Sequence, residues 1–150
     1  MRHLLSAAAL LLAACASAPP PVERPKPDPT KEAWYPQIVE QVADLGKRAA
    51  GLLARGKRDD AAALVTEAQP LIDRVLAAPR PTLAAMEAAS DVDQLYGEML
   101  MANHRYGWAR LVLQKNVTRW KTWKPETAET KRRLKLASSA IAECDRQLEK

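Results

Sequence analysis

The stretch that decides the fold is residues 36–60, PQIVEQVADLGKRAAGLLARGKRDD. Its apolar residues recur at alternating spacings of four and three, the pattern of one face of a helix. That stripe consists of Ile38, Val42, Leu45, Ala49 and Leu52. Pro36 suits the first turn of this helix, and Gly56 ends it. Asp59 or Asp60 can cap the helix that follows.

A second helix continues after a connection of three to five residues. Its apolar stripe consists of Ala61, Leu64, Val65, Ala68, Leu71, Ile72 and Val75. So short a connection predicts that the two helices form an antiparallel pair. Pro70 lies inside the second helix, where it lacks an N–H donor and crowds the carbonyl of Thr66, so we expect a kink there.

The small and large apolar positions of this pair resemble those of one tetratricopeptide hairpin. They are Leu45, Ala49, Leu52, Ala61, Val65 and Ala68. The resemblance covers about 35 residues, whereas a stable array needs about three repeats, and the sequence shows no second copy. We therefore interpret this region as an ordinary helical hairpin.

A third helix follows the break PRP at residues 79–81. Thr82 starts it, and its apolar pattern reaches Trp120 or beyond. The side predicted to be buried consists of Val92, Tyr96, Met99, Asn103, Tyr106, Leu113, Val117 and Trp120. The sequence SDVD at residues 90–93 resembles a capping box, so a break near residue 90 is the alternative.

A fourth helix completes the pattern. Lys124 and Pro125 end the preceding segment, and Pro125 with Glu126 and Glu129 opens the new helix. Its stripe consists of Leu134, Ala137, Ile141, Cys144 and Leu148. We find no alternating strand pattern. The sequence therefore predicts an all-α domain over residues 31–150, an antiparallel up-down bundle of about four helices with coiled-coil-like packing.

The first residues have the layout of an exported protein. Arg2 and His3 precede an apolar run over residues 4–14, which is broken only by Ser6. Such a run has the length of a signal peptide, since a membrane-spanning helix needs roughly 20 residues. The sequence LAAC at residues 12–15 resembles the lipobox of bacterial lipoproteins. An ordinary secretory cut after Ala18 is the alternative, but Pro19 would follow it and is a poor substrate for that peptidase.

The lipobox resemblance implies a membrane anchor. Residues 1–14 would be removed, and Cys15 would carry diacylglycerol and commonly a further acyl chain such as palmitate. Two or three acyl chains make release from the bilayer negligible. Ala16, where an Asp would favour inner-membrane retention, implies the outer membrane, facing the periplasm. In a Gram-positive host the same anchor implies the outer face of the plasma membrane.

Proline dominates the segment that follows the anchor. Six of the fourteen residues from 16 to 29 are proline, which prevents a helix and favours extended polyproline II. At ~3.1 Å per residue this segment reaches about 40 Å. We interpret residues 15–30 as the lipidated cysteine with a disordered spacer that holds the domain away from the bilayer.

The sequence offers no recognisable catalytic or metal-binding set. His104 has no partner of metal-ligand type at helical spacing, and Glu87 with Asp91 has no second carboxylate pair opposite it. Cys144 lies on an apolar stripe, where burial would raise its pKa and make the thiol inert. We expect no enzyme activity, no metal and no cofactor.

Charge is distributed unevenly along the chain, whose net charge is +5. Residues 31–100 hold eight Lys and Arg against eleven Asp and Glu, a net −3, whereas residues 101–150 hold twelve against five, a net +7. We predict a basic corner where the third helix ends and the fourth begins. It consists of Lys115, Arg119, Lys121, Trp123, Lys124, Lys131, Arg132, Arg133 and Lys135.

Two functions agree with these features. The first is an anchored helical scaffold that docks another envelope protein. The second is binding of anionic lipid or an anionic envelope polymer through the basic corner. Basic residues with aromatics also bind single-stranded nucleic acid, but an exported, lipid-anchored protein rarely meets it, so we expect no nucleic-acid partner.

Overall fold

The computed structural model describes residues 27–150, which contain helices and no strands. A 3-10 turn, Pro29–Lys31, precedes five α-helices: α1 Trp34–Ala54, α2 Arg58–Leu76, α3 Leu83–Ala102, α4 Tyr106–Thr122 and α5 Ala128–Leu148. The all-α prediction is confirmed, with five helices rather than about four. The predicted signal peptide, Cys15 and most of the predicted spacer lie outside the described residues. None of the described helices is long and apolar enough to cross a membrane.

The turn after α1 lies at Gly56, the residue that the sequence predicts to end this helix. Gly56 has a φ of 75°, which glycine adopts without the steric cost of a Cβ atom. Its N–H donates to the carbonyl of Leu53 at 2.9 Å, and the N–H of Lys57 donates to the carbonyl of Leu52 at 3.0 Å. This pair of bonds is a Schellman motif, which satisfies carbonyls left over at the end of α1.

The same motif divides the long helix predicted from Thr82 to Trp120, and that prediction is wrong. His104 has a φ of 57°, its N–H donates to the carbonyl of Met101 at 3.0 Å, and the N–H of Arg105 donates to that of Leu100 at 2.8 Å. A non-glycine residue pays roughly 1–2 kcal/mol for this conformation. No break occurs near residue 90, where α3 is continuous.

The sequence predicts the start of α3 correctly but not the starts of α2 and α5. Thr82 caps α3, its side chain accepting from the N–H of Ala85 at 3.2 Å. Thr127, and not Pro125, caps α5 in a reciprocal capping box with Thr130. The start of α2 has no side-chain cap.

Instead of capping α2, Asp59 and Asp60 occupy its first turn. Carboxylates are favourable there because of the helix dipole.

Two apolar clusters form the core. The larger lies among α1, α2 and α3 and includes most of the predicted stripes: Ile38, Val42, Leu45, Ala49, Ala61, Val65, Ala68, Ile72, Val75, Val92 and Met99. It also holds Tyr35, which no predicted stripe contains. The smaller holds Ala109, Leu113 and Cys144, with Tyr106 and Ile141 packed against them.

Three residues of the predicted buried stripes are exposed: Tyr96, Asn103 and Leu148. Asn103 is exposed because α3 has already ended, and Leu148 is the last residue of α5.

Helix α3 is central to this arrangement. Among the described elements, α1 and α2 contact each other and α3, and α4 and α5 contact each other and α3. Neither α1 nor α2 contacts α4 or α5. Close approach of α3 to α4 depends on Gly97, since a Cβ atom there would lie 2.7 Å from the side chain of Leu113.

The described chain begins at one end of the molecule, which we call the proximal end. Here the hydroxyl of Tyr35 donates to the carbonyl of Val75 at 3.1 Å and accepts from the N–H of Thr82 at 3.2 Å. These contacts bring together the start of α1, the end of α2 and the start of α3. Pro27 shares a cavity with Arg80 at this end.

The end of α4 and the start of α5 also lie toward the proximal end. The indole of Trp120, near the end of α4, donates to the Ser90 hydroxyl at 2.9 Å, and Arg133 in the first turns of α5 bonds to Asp91. Both α3 residues lie within about three turns of its start. The opposite, distal end therefore holds the turns at 55–57 and 103–105 and the last residues of α5.

Cys144 tests the packing of α5 on α4. The side chain is fully buried, and burial raises the pKa of its thiol. We expect Cys144→Ser to lower the free energy of unfolding by about 1–3 kcal/mol, because it places a hydroxyl among apolar atoms. Cys144→Ala should cost less, since it adds no polar group.

Thiol labelling provides the direct measurement for the same residue. The peptide that contains Cys144 should react slowly with a water-soluble maleimide in the native protein and fast after denaturation. Rapid labelling of the native protein would show that this face of α5 is exposed, contrary to the structure.

Candidate interaction surfaces

A buried polar network joins α3 to α4. Asp93 in α3 is 2% exposed, and its carboxylate accepts from the guanidinium of Arg119 in α4 at 3.1 Å. Arg119 also donates to the side-chain oxygen of Asn116, whose amide donates to the carbonyl of Ser90 at 2.9 Å. Trp120 donates to the hydroxyl of the same serine. Every member of this network therefore has a partner.

Arg119 is consequently not a surface cation. The sequence placed it in the basic corner, but it is 8% exposed and ion-paired within the protein. Burial raises the pKa of Asp93, and the positive charge of Arg119 opposes that shift. Paired burial of these two charges holds α3 and α4 in register, and it removes Arg119 from any binding surface.

Two arginines of the predicted basic corner, Arg132 and Arg133, also form ion pairs with carboxylates. Arg133 lies between Asp91 and Glu129, with its guanidinium 5.6 Å from the ring centroid of Trp120. The hydrogen bond from Arg132 lowers the pKa of Glu129 to about 2. Glu129 therefore stays ionised at any physiological pH and neutralises part of the positive charge.

A second carboxylate lies between two lysines of the corner. Glu126 is 2.9 Å from the ammonium of Lys131 and 3.9 Å from that of Lys124. The hydrogen bond from Lys131 lowers the pKa of Glu126. Both lysines stay exposed, with relative side-chain exposures of 67% and 73%, so they face solvent as well as their partner.

Three predicted cations, Lys115, Lys121 and Lys135, are exposed and have no ion-pair partner within residues 27–150. Lys121 shares a cavity of about 240 Å³ with Lys131, Glu126 and Trp120. Trp123 is half-buried at the end of α4. The structure thus brings Lys121, Trp123, Lys124, Lys131 and Arg132 to the proximal end.

The outer face of α4 is a feature that the sequence analysis did not identify. Trp108 is 65% exposed and Leu111 is 58% exposed. With Lys115 they follow at spacings of three and four, so all three share one helix face. A sequence signal does exist: residues 99–125 contain no Asp or Glu but include Arg105, Arg110 and Lys115.

The titratable residues give no sign of a metal centre within residues 27–150. No group of three or more His, Cys, Asp or Glu side chains in that range is arranged to hold a metal ion. His104 is exposed, and its Nδ1 lies 2.9 Å from the hydroxyl of Tyr106. The candidate sites that the geometry offers are the outer face of α4 and the basic residues of the proximal end.

Comparison with known proteins identifies no relative of this chain. The chain matches no protein-family model, no curated protein and no solved structure. Its function must be inferred from its own residues.

The buried pair of Asp93 and Arg119 makes a specific prediction about stability. Asp93→Asn leaves a guanidinium buried without its counter-charge, so we expect a loss of about 3–5 kcal/mol in the free energy of unfolding. The double variant Asp93→Leu with Arg119→Met should lie much closer to the natural protein, because both charges leave together.

Urea unfolding measures these differences. Arg48→Ala is the control, since its ion pair with Asp44 is exposed on both sides and should cost less than about 1 kcal/mol. If the double variant loses as much as Asp93→Leu and Arg119→Met lose in sum, the two charges do not stabilise each other.

Proposed function

We propose that this protein is a lipid-anchored helical module of the bacterial envelope that docks an acidic partner protein on the outer face of α4. One observation carries the docking proposal: two large apolar side chains, Trp108 and Leu111, are exposed one turn apart on a helix that has cations and no carboxylate. The role is binding and not catalysis.

The chemistry of the face supports an acidic protein as its partner. Interface centres are enriched in aromatic residues such as Trp, and a few buried residues that exclude water contribute most of the affinity. Arg105 and Lys115 flank Trp108 and Leu111 along the chain, so a partner with Asp or Glu around an apolar residue complements the face. Complementary charge speeds association and rejects basic proteins.

The position of the face supports a protein over the anchoring membrane. Trp108 lies in the first turn of α4, at the distal end, whereas the described chain begins at the proximal end. Helix α3 separates the two ends, and its 20 residues span about 30 Å. An anchor at Cys15 followed by the proline-rich segment would thus leave Trp108 directed away from the bilayer.

The anchor itself rests on the lipobox resemblance at residues 12–15. With Ala16 after the cysteine, we propose the outer membrane, facing the periplasm, as the location. The spacer then gives the domain a reach of about 40 Å, enough to meet a partner that the membrane surface does not hold.

The docking face can be tested by cross-linking followed by measurement of affinity. A photo-reactive amino acid replaces Trp108 in living cells, and the cross-linked protein is identified and purified. Trp108→Ala with Leu111→Ala should then weaken its binding to the whole protein by about 30-fold, as expected for interface hot spots. The melting temperature should change little because both side chains are exposed.

Matched controls are Leu83→Ala and Leu136→Ala, two exposed leucines on other helices. Neither should change the affinity. Cross-links only to lipid, a partner without an acidic surface, or equal losses from the control variants would each contradict the docking proposal.

The anchor has its own test. Mass spectrometry of the N-terminal peptide from native membranes should show a chain that begins at Cys15 and carries acyl groups. Cys15→Ala should abolish the modification and leave the chain uncleaved or released. An unmodified peptide that begins at Pro19 would rule out the lipid anchor.

A further inference from the structure

We infer that the proximal end is a second binding surface, one that contacts the phosphate headgroups of anionic phospholipids in the membrane that holds the protein. This inference rests on the proposed lipid anchor but not on the docking face of α4. The surface consists of Lys121, Lys124, Lys131 and Arg132.

The first support is the balance of charge at this end. These four cations are exposed, and the structure sets two carboxylates, Glu126 and Glu129, against them. Arg119 and Arg133 are already engaged by Asp93 and Asp91. A net positive charge is therefore left on the solvent side, where each cation near an anionic membrane surface adds to the attraction.

The second support is the shape of the surface. A cavity of about 240 Å³ opens between Lys121 of α4 and Lys131 of α5, with Trp120 and Leu134 among its lining residues. A phosphate group at its mouth can meet both ammonium groups. Trp123, half-buried beside it, has the amphipathic ring that favours the interfacial region of a bilayer.

The third support is the direction of the chain. Pro27, where the described chain begins, lies at the same end as these cations, beside the start of α3. The anchor is therefore joined to the domain at the end that carries these cations. The headgroup contact would fix its orientation, with Trp108 directed outward.

Glu126 supplies a selective test of this geometry. Its carboxylate occupies the position between Lys124 and Lys131 that a phosphate would compete for. Removing its charge with Glu126→Gln should strengthen membrane contact. Glu149→Gln makes the same change of charge at the distal end and should have no effect.

The experiment uses the whole lipidated protein reconstituted in vesicles of phosphatidylcholine, alone or mixed with phosphatidylglycerol. A water-soluble acylating reagent modifies lysines, and mass spectrometry gives the rate at each position. Phosphatidylglycerol should slow modification of Lys121, Lys124 and Lys131 by about threefold or more, and high salt should reverse the effect. Lys47 and Lys57 should be unaffected.

Two variants with the same loss of charge complete the test. Lys124→Ala with Lys131→Ala should abolish the remaining protection at Lys121, whereas Lys57→Ala with Arg58→Ala, at the distal turn, should leave it unchanged. Equal protection of proximal and distal lysines, or none, would overturn the inference. Protection by inorganic phosphate in neutral vesicles would overturn it in favour of a soluble anion.

Failure of the anchor would be recognised separately. A protein without lipid would not float with neutral vesicles, and that result would contradict the proposed anchor and overturn the headgroup inference that rests on it. A protein that floats but shows no effect of phosphatidylglycerol retains its anchor and lacks the headgroup surface.

Discussion

The buried ion pair of Asp93 and Arg119 is the contact on which the arrangement of the helices depends. Among the described helices only α3 contacts both the α1–α2 pair and the α4–α5 pair, so the α3–α4 boundary joins the two halves of the molecule. Apolar contacts alone tolerate sliding, whereas a buried charge must meet its counter-charge. Asn116 and Trp120 add bonds to Ser90 that require the same register.

This register also determines which residues are left on the outside. With Ala109, Leu113 and Trp120 buried on one side of α4, the period of the helix leaves Trp108 and Leu111 on the exposed side. The register likewise sets Lys121 beside α5, where it shares a cavity with Lys131. One buried network therefore sets the position of an apolar face at one end and a basic surface at the other.

Local signals were sufficient for the first half of the fold. The α1–α2 pair follows from two apolar stripes and from Gly56. A glycine at this position signals the turn of positive φ that the structure shows there. The α3–α4 turn uses the same motif with His104, and a histidine carries no comparable signal. Ser90 and Asp93 resemble a capping box in sequence, but they meet Trp120 and Arg119 of α4, and polar residues that cap a helix look the same in sequence as polar residues that meet a distant partner.

The binding surfaces were only partly predictable for the same reason. Sequence shows that the region around α4 is basic and aromatic, but the residues that neutralise it lie elsewhere: Asp93 is 26 residues from Arg119, and Asp91 is 42 from Arg133. The distant carboxylates remove Arg119 and most of Arg133 from the surface, whereas Lys124 and Lys131 stay exposed although Glu126 pairs with both. Helix α4 has no acid of its own and pairs with those of its neighbours: Asp93 of α3 with Arg119, and Asp145 of α5 with Arg110 at 2.7 Å. Lys115 has no ion-pair partner within residues 27–150, and it stays exposed beside Trp108 and Leu111. One side of α4 is therefore fixed by buried contacts, and the other side is left to solvent and is the face proposed here for docking.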